Sequence, residues 1–388
     1  VSVPTDQPRP APGAEVLLLC WRDTDHPQGG GSERYLERVG AELARSGCRV
    51  TYLTAAYPGA PRLQMRDGMR VLRVGGRLTV YLRVLGMLLG ARLGVGRLAG
   101  YRPDVVVDTQ NGVPFFARLV VGAPTVVLVH HCHREQWPVA GRVLAPIGWF
   151  IESRLSPRVH RRCRYVTVSL PSRDELVALG VDAERIAVVR GGIDPVPDGV
   201  HDEEEPARSR RLIVVSRLVP HKQVEDALTV VARLRDEGVG VHLDVVGDGW
   251  WAPELLARTA ELGLDDRVEF HGHVDELTKH RLLAVADLHL MPSRKEGWGL
   301  AVIEAAQHGV PTLGYRSSAG LTDSIVDGQT GLLADGIDDL TAKTARLIGR
   351  PDEVRRLGDA ARDRAAGYSW PGTAAEFAAV LREVTRRS

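Results

Sequence analysis

Short apolar runs alternate with longer amphipathic stretches along the whole chain. In the first half the runs are Val16–Trp21, Val50–Thr54, Asp104–Asp108, Thr125–His130, Tyr165–Ser169 and Ile186–Arg190. The second half continues with Leu212–Ser216, His242–Val246, Val268–His271, Leu288–Met291 and Pro311–Tyr315. Several carry β-branched residues at consecutive positions, which predicts strands buried on both faces of a parallel sheet. The regular alternation of strand and helix predicts doubly wound α/β units. One stretch breaks the rhythm: PVPDGVHDEEEPARSRR, residues 195–211, has prolines and charge but no apolar period. It reads as an interdomain linker. The expected division is a first domain over 1–195, a linker over 196–210 and a second domain over 211–371. A closing amphipathic helix over 372–388 carries Ala, Phe and Leu on one side.

Length supports that division, since 388 residues suffice for about two domains with separate cores. Apolar residues at 44% and charged ones at 26% are ordinary for a soluble globular chain. A net charge of +1 gives no global reason to expect a nucleic-acid partner. The four cysteines, Cys20, Cys48, Cys132 and Cys163, show no C-x-x-C spacing and form no disulfide framework. The first residues, VSVPTDQPRPAPGAE, lack the charged-then-apolar layout of a secretory signal, and no run of about 18 uncharged apolar residues occurs. A cytoplasmic location, with peripheral attachment to the inner membrane face as an option, is the expectation.

The most informative segment is MPSRKEGWGLAVIEAAQHGVPTLGY. It orders a strand ending at Met291, a turn with Gly297, Trp298 and Gly299, and a helix from Leu300 to about His308. A glycine turn exposes backbone N–H groups and a helix start adds partial positive charge, so phosphate suits this place. Glu296 precedes the helix and Glu304 lies inside it. Were the whole segment helical they would stand roughly 12 Å apart, too far to share a proton. That spacing suits two acceptors gripping hydroxyls at the ends of an extended ligand with phosphate between, the layout of a nucleotide sugar. A lone pair of glutamates on a helix is otherwise ordinary surface.

Other strand ends add matching chemistry. RLIVVSRLVPHKQVEDAL places Arg217 and Lys222 just after a strand; a forked guanidinium and a compact ammonium both suit a departing diphosphate. VVGDGW contributes Gly247, and HGHVDELTK contributes Val274. In the first half, Gly29, Gly30 and Gly31 precede a helix expected to start near Ser32 with that serine as N-cap and Glu33 in its first turn. These contiguous glycines are no dinucleotide fingerprint, and the second strand lacks a terminal acid. LVHHCHREQW holds His130, His131 and His133 around Cys132. A zinc site there would need ligands that no second pair supplies. Asp23-Thr24-Asp25 is a chance D-x-D.

Together these motifs, spread over nearly the whole chain, resemble the bacterial retaining glycosyltransferases of family four (glycosyl transferases group 1). The resemblance implies the GT-B fold: two doubly wound Rossmann-like α/β domains facing across a cleft, the first for acceptor and the second for nucleotide-sugar donor, with the last helix crossing back to the first. It implies catalytic roles for His130 (His131 as runner-up), Glu296, Arg217 and Lys222. It implies donor contacts from Gly30, Gly31, Gly247, Val274, Glu296, Gly297, Trp298, Gly299, Leu300 and Glu304. Glu296 would orient the sugar and Glu304 the ribose, while the backbone near Val274 would receive the base. The family usually has Asn-Gly where this chain has Gly191-Gly192, and glycine would supply the same positive φ there.

The reaction so implied is metal-independent front-face transfer of a hexose from a nucleoside diphosphate sugar to a hydroxyl, with no cofactor. UDP-sugar is the first donor and GDP-mannose the second. A non-hydrolysing nucleotide-sugar epimerase shares the fold and donor and is the alternative. A nicotinamide-dependent dehydrogenase lacks its glycine signature here, and a pure binding module leaves the ligand groups at so many strand ends unexplained. The acceptor is either a small natural-product intermediate or a lipid-linked molecule. Between Gly68 and Pro103 seven arginines and no acid are interleaved with leucines. This stretch either docks on an anionic membrane or forms a core-packing helix with solvated arginines.

Overall fold

The computed structural model describes residues 13–26, 29–137, 141–200 and 210–386. The middle of the expected linker, 201–209, lies outside the described residues. The chain divides into two compact units, one of residues 1–192 together with 369–388, the other of residues 193–368.

In the first unit β1 (Glu15–Leu19) leads to α1 (Gly31–Arg45) and β2 (Arg49–Thr54). A hairpin of β3 (Leu63–Arg66) and β4 (Met69–Arg73) follows, then α2 (Val80–Arg92), β5 (Val105–Thr109) and β6 (Thr125–Val129). After α3 (Gly141–Phe150) and α4 (Ser156–Val159) come β7 (Arg164–Thr167), α5 (Leu170–Ala178) and β8 (Ile186–Val188). The sheet order is β3-β4-β2-β1-β5-β6-β7-β8, parallel except for β3. Central strands bury every residue: β5 reads VVVDT and β6 TVVLV.

The β3–β4 hairpin is absent from the expected strands. Its turn is Asp67-Gly68, both left-handed at φ 46° and 79°, which a two-residue hairpin loop of this hand requires. Asp-Gly was therefore a readable signal. The strand before it was not, because Leu63 and Met65 face outward and leave little apolar alternation to detect.

The second unit contains β9 (Arg211–Val215), α6 (Val224–Asp236), β10 (His242–Val246), α7 (Ala252–Glu261) and β11 (Val268–Gly272). It continues with α8 (Glu276–Val285), β12 (Leu288–Met291), α9 (Leu300–Gln307), β13 (Thr312–Tyr315), α10 (Leu321–Ser324) and β14 (Gly331–Ala334). Then come α11 (Ile337–Ile348) and α12 (Pro351–Ala365). The order β11-β10-β9-β12-β13-β14 makes β9 the strand from which the chain winds first one way and then the other. One face of the sheet packs Leu212, Val214, Leu243 and Val245 on α6 and its neighbours; the other packs Ile213 and Val246 on α8 and α9.

The last helix, α13 (Trp370–Arg386), belongs to the first unit and lies against α1. Phe377 is fully buried and its ring meets that of Tyr35 at 6.3 Å. Gly192 lies where this helix begins. A Cβ there would stand 2.3 Å from the Trp370 nitrogen, so nothing larger than glycine fits. Neither Gly191 nor Gly192 has a left-handed backbone. The expected reason for glycine was therefore mistaken: close approach of α13, not positive φ, selects it.

The arginine-rich stretch forms a core-packing helix with exposed leucines beside the buried face. In α2, Val80, Val84, Leu88 and Ala91 are buried against the first unit's core, while Leu78, Leu82, Leu89 and Leu93 around them are exposed. The helix tolerates Gly86 and Gly90 and ends before Gly94, left-handed at φ 76°, as helices commonly stop. Arg73 is not among the solvated arginines, being 1% exposed. Among the described residues no helix is long and apolar enough to cross a membrane.

Candidate active site

In an open parallel sheet, ligands bind beyond the carboxyl ends of the strands where the winding reverses. The second unit reverses between β9 and β12, and the loops after those two strands carry the cations and the glutamate singled out above. The β9 loop runs through Arg217, which is exposed, to a short 3-10 turn at Pro220–Lys222. The β12 loop runs through Glu296 to the glycine turn. Lys222 Nζ donates to Glu296 Oε1, and the Arg294 N–H donates to the His221 carbonyl at 2.9 Å. The two loops are thus joined across the reversal point. Both side chains of the pair are largely sheltered, 13% and 9% exposed, so neither charge is well solvated unless the other or a ligand is present.

Glycines set the walls of this place. Gly299, left-handed at φ 87°, is the N-cap of α9, whose free N–H groups open at the turn. Gly247 follows β10 at φ 128°, and a Cβ there would fall 1.9 Å from the Ser216 carbonyl oxygen. Gly249 is equally confined, 2.1 Å from the Leu218 oxygen. The β10 loop therefore lies directly on the β9 loop that holds Arg217, and any side chain would push them apart. Gly297 makes similar close contact with Gly320, whose Cβ would meet the Glu296 oxygen at 2.4 Å.

The remaining expected donor residues are distributed as follows. Leu300 opens α9, half-buried. The Trp298 ring is buried edge-on against Tyr368 at 4.9 Å, with its Nε1 lacking a hydrogen-bond partner. Val274 packs on the α8–α9 face just before Asp275, whose carboxylate caps α8 by accepting the Thr278 N–H at 2.8 Å. Glu304 Oε1 accepts from Lys279 Nζ at 2.9 Å, and Lys279 also reaches Glu276 at 2.9 Å. Lys279 is a partner the sequence reading overlooked. Its signal was rarity: only Lys222, Lys279, Lys295 and Lys343 occur in the chain, and two of the four hold the paired glutamates.

The first unit reverses between β1 and β5, and the loops there are also joined. The N-cap of α1 is Gly30, in extended backbone at φ −166°, two residues before the expected cap at Ser32. The Glu33 carboxylate folds back to accept the Gly30 N–H at 2.9 Å, which is why Gly30 and not Ser32 caps the helix. Gly31 begins α1 and is exposed. Glu33 is completely buried; it forms an ion pair with Arg22, whose Nε stands 2.8 Å away, and accepts from Asn111 Nδ2, of the β5 loop, at 3.1 Å. Asn111 and Glu33 had no assigned role in the sequence reading. Nothing local distinguishes them, because their contact joins positions far apart in the chain.

Asp23-Thr24-Asp25 is engaged by two arginines and by Glu37. Asp23 pairs with Arg73 Nε at 2.6 Å, both side chains completely buried, and Asp25 pairs with Arg66. Thr24 donates its N–H and hydroxyl to Glu37 at 2.9 and 2.6 Å. The triplet fastens the turn after β1 to the β3–β4 hairpin.

His130 follows β6. Its ring lies edge-on to Tyr35 at 5.2 Å and Nε2 is buried without a hydrogen-bond partner. Burial pulls its pKa down to about 4, with Glu33 pulling weakly the other way, so at neutral pH it is an uncharged imidazole. His131 bonds Gln136 at 3.0 Å, and His133 is fixed by the buried Glu152, which also accepts Trp137 Nε1 at 2.7 Å.

Two family models match: Glycosyltransferase Family 4 over residues 29–196 and Glycosyl transferases group 1 over residues 200–364. The MMP alpha-(1->4)-mannosyltransferase of Mycolicibacterium hassiacum is 33% identical over 77% of this chain and 75% of its own. A GDP-mannose-dependent alpha-(1-6)-phosphatidylinositol monomannoside mannosyltransferase of Mycolicibacterium smegmatis is 28% identical, covering 94% of this chain and 98% of its own. Sucrose-phosphate synthase from Thermosynechococcus elongatus superposes with a TM-score of 0.80 at 18% identity, over 97% of this chain and all (100%) of that one, a likeness of fold. The chain belongs to the bacterial family-four, group 1 glycosyltransferases and has their GT-B fold of two Rossmann-like units. It is an enzyme, a glycosyltransferase. The epimerase reading finds no support among these relatives.

Proposed function

We propose that this enzyme moves a hexose from a nucleoside diphosphate sugar to a hydroxyl acceptor with retention of anomeric configuration and without a metal. The observation that carries the reading is the Lys222–Glu296 pair at the second unit's reversal point, beside the glycine-capped start of α9. An arriving diphosphate would draw Lys222 to itself and free Glu296 to accept sugar hydroxyls. Arg217, Lys222 and the N–H groups after Gly299 would then face the charge that grows on the leaving diphosphate. Gly297 and Leu300 border that turn, and Gly247 keeps the β10 loop close. Glu304 and Lys279 would meet the ribose, and the backbone at Val274 the base. In the first unit, Gly30 and Gly31 are the proposed donor contacts, and neutral His130 is the proposed sugar contact through Nε2.

Retention without an enzymic carboxylate nucleophile fits a front-face path. The leaving oxygen departs with its electron pair as the acceptor hydroxyl attacks the same face, and the diphosphate receives the acceptor's proton. No cofactor is called for. UDP-sugar and GDP-mannose are the two donors to test, the first from the sequence expectation, the second because it is the donor named for the M. smegmatis relative. Acceptors of the lipid-linked kind would suit a peripheral position on the inner membrane face through 68–103, where Leu78, Leu82, Leu89 and Leu93 stand exposed among arginines. Small natural-product acceptors need no such contact.

The test is incubation of the metal-chelated enzyme with either donor and an acceptor panel, followed by NMR of the product. An α-linked product from an α-donor is expected. A β-linked product, activity that requires added metal, or a change of sugar configuration with no acceptor used would overturn the proposal.

A further inference from the structure

On the far edge of the second unit's sheet, two adjacent strands place four metal-binding side chains on one face. β10 contributes His242 and Asp244; β11, the edge strand, contributes Glu269 and His271. Asp244 and Glu269 are direct register partners, and side chains two apart on a strand share a face. His242 Nε2 lies 3.8 Å from Asp244 Oδ1 and 3.9 Å from Glu269 Oε2. One donor atom from each of these three residues falls within 4.8 Å of the others, the only such group of three or more His, Cys, Asp or Glu among the described residues.

The separations exceed hydrogen-bond length, so the three groups converge without satisfying one another. Asp244 is completely buried, and neither its Oδ2 nor His242 Nε2 has a hydrogen-bond partner. A buried, unpartnered carboxylate oxygen is costly and calls for a cation. Arg211 Nη1 stands 3.6 Å from that Oδ2, beyond good hydrogen-bond distance, and answers part of the charge from one side. His271 Nε2 bonds Asp244 Oδ1 at 2.8 Å and its Nδ1 approaches Glu269 at 3.7 Å, which steadies both carboxylates. One imidazole and two carboxylates against one arginine leave net negative charge around an imidazole nitrogen, a donor set suited to a divalent transition ion.

We propose that His242, Asp244 and Glu269 bind a divalent transition-metal ion, with zinc as its simplest representative, and that the ion fastens edge strand β11 to β10. The function is stabilising. His242 starts its strand and Gly247 follows the strand's end, roughly 16 Å apart at the usual rise per residue, so the ion takes no part at the glycine loops. No sequence spacing announces such a site, because its ligands are alternate residues of two strands separated by a whole helix.

The experiment uses the full chain, stripped with chelator and dialysed against micromolar zinc. Bound metal is measured by elemental analysis and melting temperature is followed alongside. The expected result is one zinc per chain and a melting temperature raised by a few degrees. His242→Ala and Glu269→Gln, both at partly exposed positions, should weaken zinc at least tenfold and abolish the shift. His133→Ala, in the other histidine cluster, should keep both. Absence of zinc from the wild-type chain, or zinc retained in both His242→Ala and Glu269→Gln, would overturn the proposal. So would loss of the metal in His133→Ala alone.

Discussion

The two sheets reverse their winding in the same way, yet the loops at the two reversal points use charge differently. After β1 and β5 the buried Glu33 is surrounded by the Gly30 N–H, Arg22 and Asn111, and Asp23 by Arg73. Those charges hold the loops themselves. After β9 and β12 the loops are joined by Lys222 to Glu296 and by the Arg294 N–H to the His221 carbonyl, beside an exposed Arg217 and the start of α9. There the cations remain within reach of a ligand. One topology therefore provides braced loops in one unit and, on the function proposed above, an anion receptor in the other, and side-chain placement makes the difference.

The contrast breaks most severely if bracing and receiving prove interchangeable. Arg73→Ala should strand the buried Asp23 carboxylate and lower stability by about 3–5 kcal/mol, read as a large fall in melting temperature. Lys222→Ala should weigh mainly on turnover, reduced about 10²–10³-fold, with a smaller fall in melting temperature than Arg73→Ala because Glu296 keeps some access to solvent. Glu296→Ala should fall by a similar factor, and turnover within a few-fold of wild type would contradict its assigned role. A smaller effect is expected from Asn111→Ala, which removes one donor from Glu33 and should cost about 1–3 kcal/mol of stability.

Acid sharpens the comparison further. Burial lowers His130 and His160 to about 4 in the first unit and His289 to about 3 in the second. The unfolded chain takes up these protons near the ordinary histidine value, so folded stability is full above about 6.5 and drains away as pH falls toward 4. Buried Asp108, raised to about 6, works the other way: its contribution grows as pH falls from about 6 to 4. The three deeply buried histidines shift furthest and outweigh Asp108, so melting temperature should decline from pH 6.5 to pH 4. A flat profile would show that these rings become charged without unfolding. The mildest expected effect is at the exposed leucines: Leu82→Ser with Leu89→Ser should reduce co-sedimentation with anionic vesicles and leave soluble-acceptor turnover unchanged.

What the sequence reveals follows from where the forces act. Strands buried on both faces betray themselves by consecutive apolar residues, so β12 and α9 fall within a residue or so of their expected limits. The half-exposed β3 and four-residue β14 carry too little pattern to register. Parallel strands deliver their following loops to one edge, which makes glycines, Arg217 and Lys222 candidates for a site before any coordinates. Which cation meets which carboxylate depends on contacts between distant loops. Lys222–Glu296, Lys279–Glu304 and Asn111–Glu33 are all of that kind, as is the close approach that requires Gly192. Residue type and neighbouring sequence contain no record of such pairings.

The most direct measurement is calorimetric titration of the metal-free enzyme with UDP and with GDP, on wild type and on Lys222→Ala. One nucleoside diphosphate should bind the wild-type enzyme without metal, and Lys222→Ala should weaken it at least tenfold while the chain remains folded at the titration temperature. Equal affinity in the two proteins, or no binding of either diphosphate, would contradict the assignment of the second unit's reversal point as the diphosphate receptor.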